Sequence, residues 1–354
     1  MQGILDLPGT MAQTLQELAT TLAFGADPLP PPQLAPSPKD TVFRDGIAQL
    51  YRFRRPEGAP AATRRPLLVV PSMINRWYVL DLRKGNSFCE ALAAAGVDTF
   101  LLDWGIPRDE DRYMTWDEVI DRLARMVRAV LRETGADQVA IMGYCMGATL
   151  STIYAALHPE KVCALVNLAG PIDFSQGGVL RHMVDRRWFD PSAIAAAGNV
   201  APTQMQSGFT AMRPTLNLSK IVGYIDRSAS QGARDGFYAM ETWGNDNIPF
   251  PAAAYETYIT ELYQNNALVR GEHRVRGRVA DLKRITCPVL VIGAERDTIC
   301  PLPAAKALID GSGAKDTSVF QVPGGHVGAV VGSKASRELY PQTAAWLRAR
   351  LDAN

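Results

Sequence analysis

The stretch Ile141–Leu150, IMGYCMGATL, sets a thiol between two glycines, Gly143 and Gly147, with one residue on either side of it. A G-x-nucleophile-x-G pattern lets a strand turn sharply into a helix, because small flanking residues allow the backbones to approach. The nucleophile, here Cys145, then stands at a helix N-terminus. Free N–H groups and the helix dipole there favour a thiolate and a developing oxyanion. A structural cysteine in an ordinary βα turn is the alternative reading. A cysteine nucleophile needs a base, and the chain has only 4 histidines, His158, His182, His273 and His326. In this kind of turn architecture the order along the chain is nucleophile, acid, histidine. Asp297 follows the apolar run in CPVLVIGAERD, and His326 ends the next one in TSVFQVPGGH. The other readings of that loop are Asp297 as a simple helix N-cap and Glu295 as the acid. His158 sits in a surface-like HPEK helix end, and His182 and His273 sit in basic stretches that read as solvated. An oxyanion hole would use the N–H of Met146, plus Met73 or Ile74 from the earlier loop VVPSMINR. Such a set would supply a nucleophile, a base, an acid that orients it and an oxyanion hole.

The elements that must position these residues follow from periodicity. IAQLYRF, PLLVVPS, VDTFLLDW, QVAIMGYC, VCALVNLAGP, CPVLVIGAERD and TSVFQVPGGH read as strands. SFCEALAAAG, GATLSTIYAALHP, PLPAAKALIDG and YPQTAAWLRARL read as helices, as does TWDEVIDRLARMVRAVLRETG, where Thr115 and Glu118 make a capping box. Strands alternating with helices predict an α/β fold with a mostly parallel central sheet. The alternation stops from about 175 to 285, which reads as an inserted cap subdomain over the site. Trp188, Phe189, Trp243 and Phe250 either line it or form its ordinary core. Residues 10–24 have helical apolar spacing, and GADPLPPPQLAPSPKD is a proline-rich linker. The expected organisation is 1–37 as helix and linker, 38–174 with 286–354 as core, and 175–285 as cap.

Composition excludes several classes. With 37 basic and 36 acidic residues, nothing argues for nucleic acid or an anionic membrane. No run reaches the about 20 apolar residues that span a bilayer, and MQGILDLPGT does not read as a signal peptide. The 5 scattered cysteines lack CxxC spacing, so neither a disulfide framework nor a zinc site is expected. A reducing cytoplasm is the expected compartment.

The stretches VVPSMINRWYVLDLRKGNSF, GVDTFLLDWGIP, GYCMGATLSTIYAALHPEKV, GPIDFS, ETWGNDNIPFPAAAYETYI, LYQNNALVRGEHRVRGRVADLKRITCPVLVIGAERD and GGHVGAVVG together resemble the polyhydroxyalkanoate synthases, from about residue 38 to 352. The length resembles the short catalytic subunits of the two-component class III and IV enzymes, members of the α/β-hydrolase superfamily. Carried over by position, the resemblance implies Cys145 as nucleophile, Asp297 as acid and His326 as base, with Ile74 and Met146 as backbone oxyanion donors. It implies polymerisation of an (R)-3-hydroxyacyl-coenzyme A with release of coenzyme A, without a cofactor. It also implies cap opening, a homodimer, a second synthase subunit, and a cytoplasmic protein at a polyester granule surface. The chain departs from the family pattern in three places: Thr298 follows Asp297 where a histidine is usual, Ala148 follows Gly147 where a glycine is usual, and the tryptophan motif reads Trp243-Gly-Asn-Asp246. A thioesterase or depolymerase of the same fold, and a non-catalytic granule-binding relative, are the competing functions. Sulfur suits the synthase: thiolate attack on a thioester is nearly neutral in energy, so the acyl group stays activated for transfer to a hydroxyl.

Overall fold

The computed structural model describes residues 32–212, 231–332 and 334–352. The helix expected over 10–24, and the first part of the proline-rich linker, residues 25–31, lie outside the described residues. Eight strands form the main sheet: β1 (Lys39–Asp45), β2 (Ala48–Phe53), β3 (Leu67–Val70), β4 (Thr99–Asp103), β5 (Val139–Tyr144), β6 (Val162–Leu168), β7 (Val289–Ala294) and β8 (Thr317–Val322). Their spatial order is β1-β2-β4-β3-β5-β6-β7-β8. The six strands from β4 to β8 are parallel, and β2 runs antiparallel to both neighbours. The strand at the edge, β1, is one that periodicity does not reveal. Lys39 and Asp40 belong to it rather than to the linker. Lys39 is drawn in by the Asp81 carboxylate at 3.2 Å and by the carbonyls of Ala35 and Ser37.

Central strands are buried on both faces, so they read as unbroken apolar runs; every residue of β3, β5 and β7 is buried. Alternate side chains serve opposite layers. Leu68, Val70 and Ile141 pack with α2 (Trp116–Thr134) and α3 (Met146–Leu157). Leu67, Val69 and Met142 pack with α1 (Phe88–Ala94) and α5 (Tyr340–Leu351). Each fully buried leucine or valine contributes on the order of 2 kcal/mol. The helix α4 (Leu302–Gly311) joins the first layer through Ala304 and Leu308. Local signals set the helix ends. Ser87 accepts from Glu90 N at 3.0 Å at the start of α1. At α2, Thr115 Oγ1 accepts from Glu118 N while Glu118 Oε2 accepts from Thr115 N, and Gly135 ends the helix at φ 71°.

Between β6 and β7 lie short helices at Gly178–Met183, Pro191–Ala195, Pro202–Met212, Gln231–Asn245 and Ala252–Thr257, the last running into a π-turn at Tyr258–Gln264. A two-residue turn, Arg276-Gly277, both at positive φ, joins the small ladder of Arg274–Val275 and Arg278–Val279. One sequence expectation fails here. His273 is not solvated: it is 1% exposed, and its Nε2 accepts a hydrogen bond from Trp116 Nε1 at 3.2 Å. Its basic neighbours mislead because their side chains point outward from the turn, Arg276 onto Asp121 of α2.

Candidate active site

β5 ends at Tyr144, α3 begins at Met146, and Cys145 occupies the elbow between them at φ 55° and ψ −128°. Such a backbone costs roughly 1–3 kcal/mol and persists only where the surroundings enforce it. They do. Cys145 N donates to Leu168 O at 2.9 Å, which ties the elbow to the end of β6. A Cβ on Gly147 would lie 2.0 Å from Val70 O, and one on Gly143 would lie 2.2 Å from the Ala148 Cα. Ala148 follows Gly147 in the first turn of α3. Its methyl is accommodated because Gly170 faces it, where another Cβ would come within 2.3 Å.

Asp297 and His326 stand at the ends of neighbouring strands, just past β7 and β8. The Asp297 Oδ2 and His326 Nδ1 atoms are 2.7 Å apart, and both side chains are buried. Asp297 also accepts from Ile299 N and Cys300 N through Oδ1, both at 2.9 Å. The carboxylate is therefore both a turn cap and the partner of the imidazole. Glu295 is exposed. The His326 ring stacks on Tyr144, with centroids 5.6 Å apart and planes at 25°. Its Nε2 is buried and has no well-formed hydrogen bond among the described residues. Burial alone would push the imidazole pKa down. The charge of the nearby Cys145 and the Asp297 bond outweigh it and hold the pKa up, to about 10. A thiol and an imidazole so placed can pass a proton between them, with the carboxylate fixing the ring.

Met146 N is the first N–H of α3, and such groups lack a partner within the helix. Ile74 and Met73 are buried in the loop after β3, and Ile74 N reaches Ser72 Oγ only at 3.5 Å. Beside Asp297 a groove of about 450 Å³ is lined by Ser175, Gln176, Arg181, His182 and Thr298 among others. Of the aromatics noted in the sequence, Phe250 at 2% and Trp243 at 7% exposure are core residues, whereas Trp188 is 60% exposed. Phe189 packs partly buried against the first layer. His182 is exposed, and His158 is half-buried beside Tyr154.

Two family models match the chain. One, described as alpha/beta hydrolase fold, covers residues 66–332. The other, described as the poly-beta-hydroxybutyrate polymerase N-terminus, covers 31–92. The sequence is 36% identical to the poly(3-hydroxyalkanoate) polymerase subunit PhaC of Allochromatium vinosum, over 99% of this chain and 97% of that one. It is 32% identical to the protein of the same name from Thiocystis violacea, over 99% and 96%. Among solved structures, a putative lipase from Sulfolobus solfataricus superposes with a TM-score of 0.55 at 13% identity, covering 87% of this chain and 92% of that one. An alpha/beta hydrolase fold protein from Nakamurella multipartita gives 0.50 at 18%, covering 88% and 99%. These two likenesses are of fold alone.

Proposed function

The chain belongs to the poly(3-hydroxyalkanoate) polymerase family of the α/β-hydrolase superfamily, and on that premise we propose that Cys145, His326 and Asp297 carry its polymerisation of (R)-3-hydroxyacyl-coenzyme A. The observation that supports this most is the buried Asp297–His326 pair at 2.7 Å beside the strained Cys145 elbow. In this reading the Cys145 proton rests on His326 Nε2, so that a thiolate stands beside an imidazolium held by Asp297. The thiolate attacks the thioester carbonyl, and the N–H groups of Met146 and Ile74 hold the oxyanion. Collapse of the adduct breaks the bond to coenzyme A, whose sulfur leaves with the proton from His326. The acyl group remains on Cys145 as a thioester. A 3-hydroxyl of the next acyl group or of the growing chain then gives its proton to His326 and attacks that thioester carbonyl; as the ester forms, the bond to Sγ breaks and Cys145 leaves as the thiolate, which can take the proton back from His326. Asp297 holds the ring so that Nε2 faces the reacting atoms.

The acyl-enzyme must be kept from water, and the segment 175–285 serves as the cap that does this. Residues 38–174 and 286–354 form the catalytic core, with 1–37 as an appendage. We extend the proposal to a homodimer, a second synthase subunit and a cytoplasmic place at the polyester granule surface. The word "subunit" in the names of both relatives supports a second component. Among the described residues no helix is long and apolar enough to cross a membrane.

The test is coenzyme A release from (R)-3-hydroxybutyryl-coenzyme A, by the wild type and by Cys145→Ala, with the insoluble product weighed. Release with polyester, abolished in the variant, is expected. Release with only soluble acid would make the protein a thioesterase. Release that survives in Cys145→Ala would remove the cysteine from the mechanism.

A further inference from the structure

The loop that carries Ile74 is held from two sides. From the core, Trp104 Nε1 donates to Pro71 O at 2.9 Å. From the segment between β6 and β7, a run of residues binds four positions of the loop. Ile248 N donates to Ile74 O at 3.4 Å. Asn75 pairs with Asn247 as an antiparallel bridge, and Asn75 Nδ2 donates to Asn247 Oδ1 at 2.6 Å. Trp243 Nε1 donates to Arg76 O at 2.8 Å. Tyr78 Oη donates to Asp246 Oδ2 at 2.6 Å, and the Arg76 guanidinium stands 3.9 Å from the same carboxylate.

These contacts grip the carbonyls of Ile74 and Arg76 and the side chains of Asn75 and Tyr78. Among the described residues they leave the Ile74 N–H with only the long contact to Ser72 Oγ. A loop fixed at its carbonyls, with its amide weakly engaged, is suited to meet an oxygen that appears only during reaction. Oxyanion stabilisation depends on donors being in place beforehand, at about 2.7–3.1 Å from where charge develops. A surface loop without such ties would have to be ordered at each turnover.

We propose that Trp243, Asp246 and Asn247 are positioning residues that hold the 72–78 loop as one half of the oxyanion hole. This rests on the reading of Ile74 N–H as an oxyanion donor. It ties the loop's competence to the docking of residues 243–248, well removed in sequence from the nucleophile.

The experiment compares two reactions of Cys145 in Trp243→Phe, Asn247→Ala and the double variant. Alkylation by iodoacetamide forms an S–C bond as iodide leaves, and no oxyanion arises. Acylation by (R)-3-hydroxybutyryl-coenzyme A, read as first-turnover coenzyme A release, requires the hole. Acylation in the double variant should fall about 10- to 100-fold with KM little changed, while alkylation at Cys145, read by mass, stays within about two-fold. Unchanged acylation overturns the proposal. So does an equal fall in both reactions, which would mean a general disturbance of the site. Trp243→Phe keeps the buried ring and serves if the double variant does not fold. If the wild type co-expressed with its second subunit releases no coenzyme A, the acyl-transfer reading fails, and amide hydrogen exchange then decides the clamp by itself. Faster exchange across 72–78 with the elbow unchanged supports it, and unchanged exchange overturns it.

Discussion

At the scale of single residues, the site is governed by what burial does to charge. His326 is buried, which on its own disfavours an imidazolium, yet its pKa is held up to about 10 by Cys145 and by Asp297. The folded value lies above the ordinary 6.5. The protonated ring therefore stabilises the fold fully below about pH 6.5, and that stabilisation is lost as pH rises through about 10. Cys145→Ala removes the strongest upward influence and leaves burial in place. The His326 titration, followed by the NMR signal of its ring proton, should move to clearly lower pH in that variant. A titration that stays where it is would mean that the two groups are not electrostatically coupled. The two oxygens of Asp297 face different partners, Oδ2 the His326 ring and Oδ1 the amides of Ile299 and Cys300.

At the scale of elements, the elbow depends on close backbone approach. Replacing Gly147 by alanine would set a methyl 2.0 Å from Val70 O, between β3 and α3, where neither can yield easily. Overpacking of this kind costs about 1–3 kcal/mol or more, so Gly147→Ala should lower the denaturation midpoint and the reactivity of Cys145 together. Gly208 offers the opposite case. It lies in the helix Pro202–Met212 with nothing within 4 Å of an added Cβ. Gly208→Ala should stabilise by about 0.5–1 kcal/mol through the lost backbone freedom of glycine in a helix. Both effects are read in urea titrations; a neutral Gly147→Ala would show that the elbow has slack.

At the scale of the whole molecule, the segment between β6 and β7 is fastened to the core at several places, two of them through a buried tryptophan. One is the clamp on the 72–78 loop. The other is His273, which accepts from Trp116 at the start of α2, while the following turn sets Arg276 on Asp121. Burial holds the His273 pKa down to about 4. A depressed imidazole binds its proton more readily in the unfolded chain, so stability falls as pH drops from about 6.5 towards 4. A shift of that size corresponds to on the order of 3 kcal/mol once both states are protonated. His273→Gln keeps an acceptor for Trp116 and does not titrate. Its melting temperature should depend less on pH between 6.5 and 4 than that of the wild type; equal slopes would place the acid sensitivity elsewhere.

The sequence by itself determined what short-range rules govern. The strand–elbow–helix around Cys145, the capping box of α2 and the alternation of strands and helices all follow from period, small residues and turn chemistry within a few positions. The order of cysteine, aspartate and histidine along the chain was legible for the same reason, since each follows the end of an apolar run. Only the tertiary structure decided the rest. Nothing local says that β1 would join the edge, or that His273 would be buried under Trp116. Nor does it say that Trp243 to Ile248 would hold a loop near residue 74. Those outcomes depend on which distant segments meet. Such meetings are set by packing of the whole sheet and its layers, whose energy is shared among many side chains and written in no single stretch.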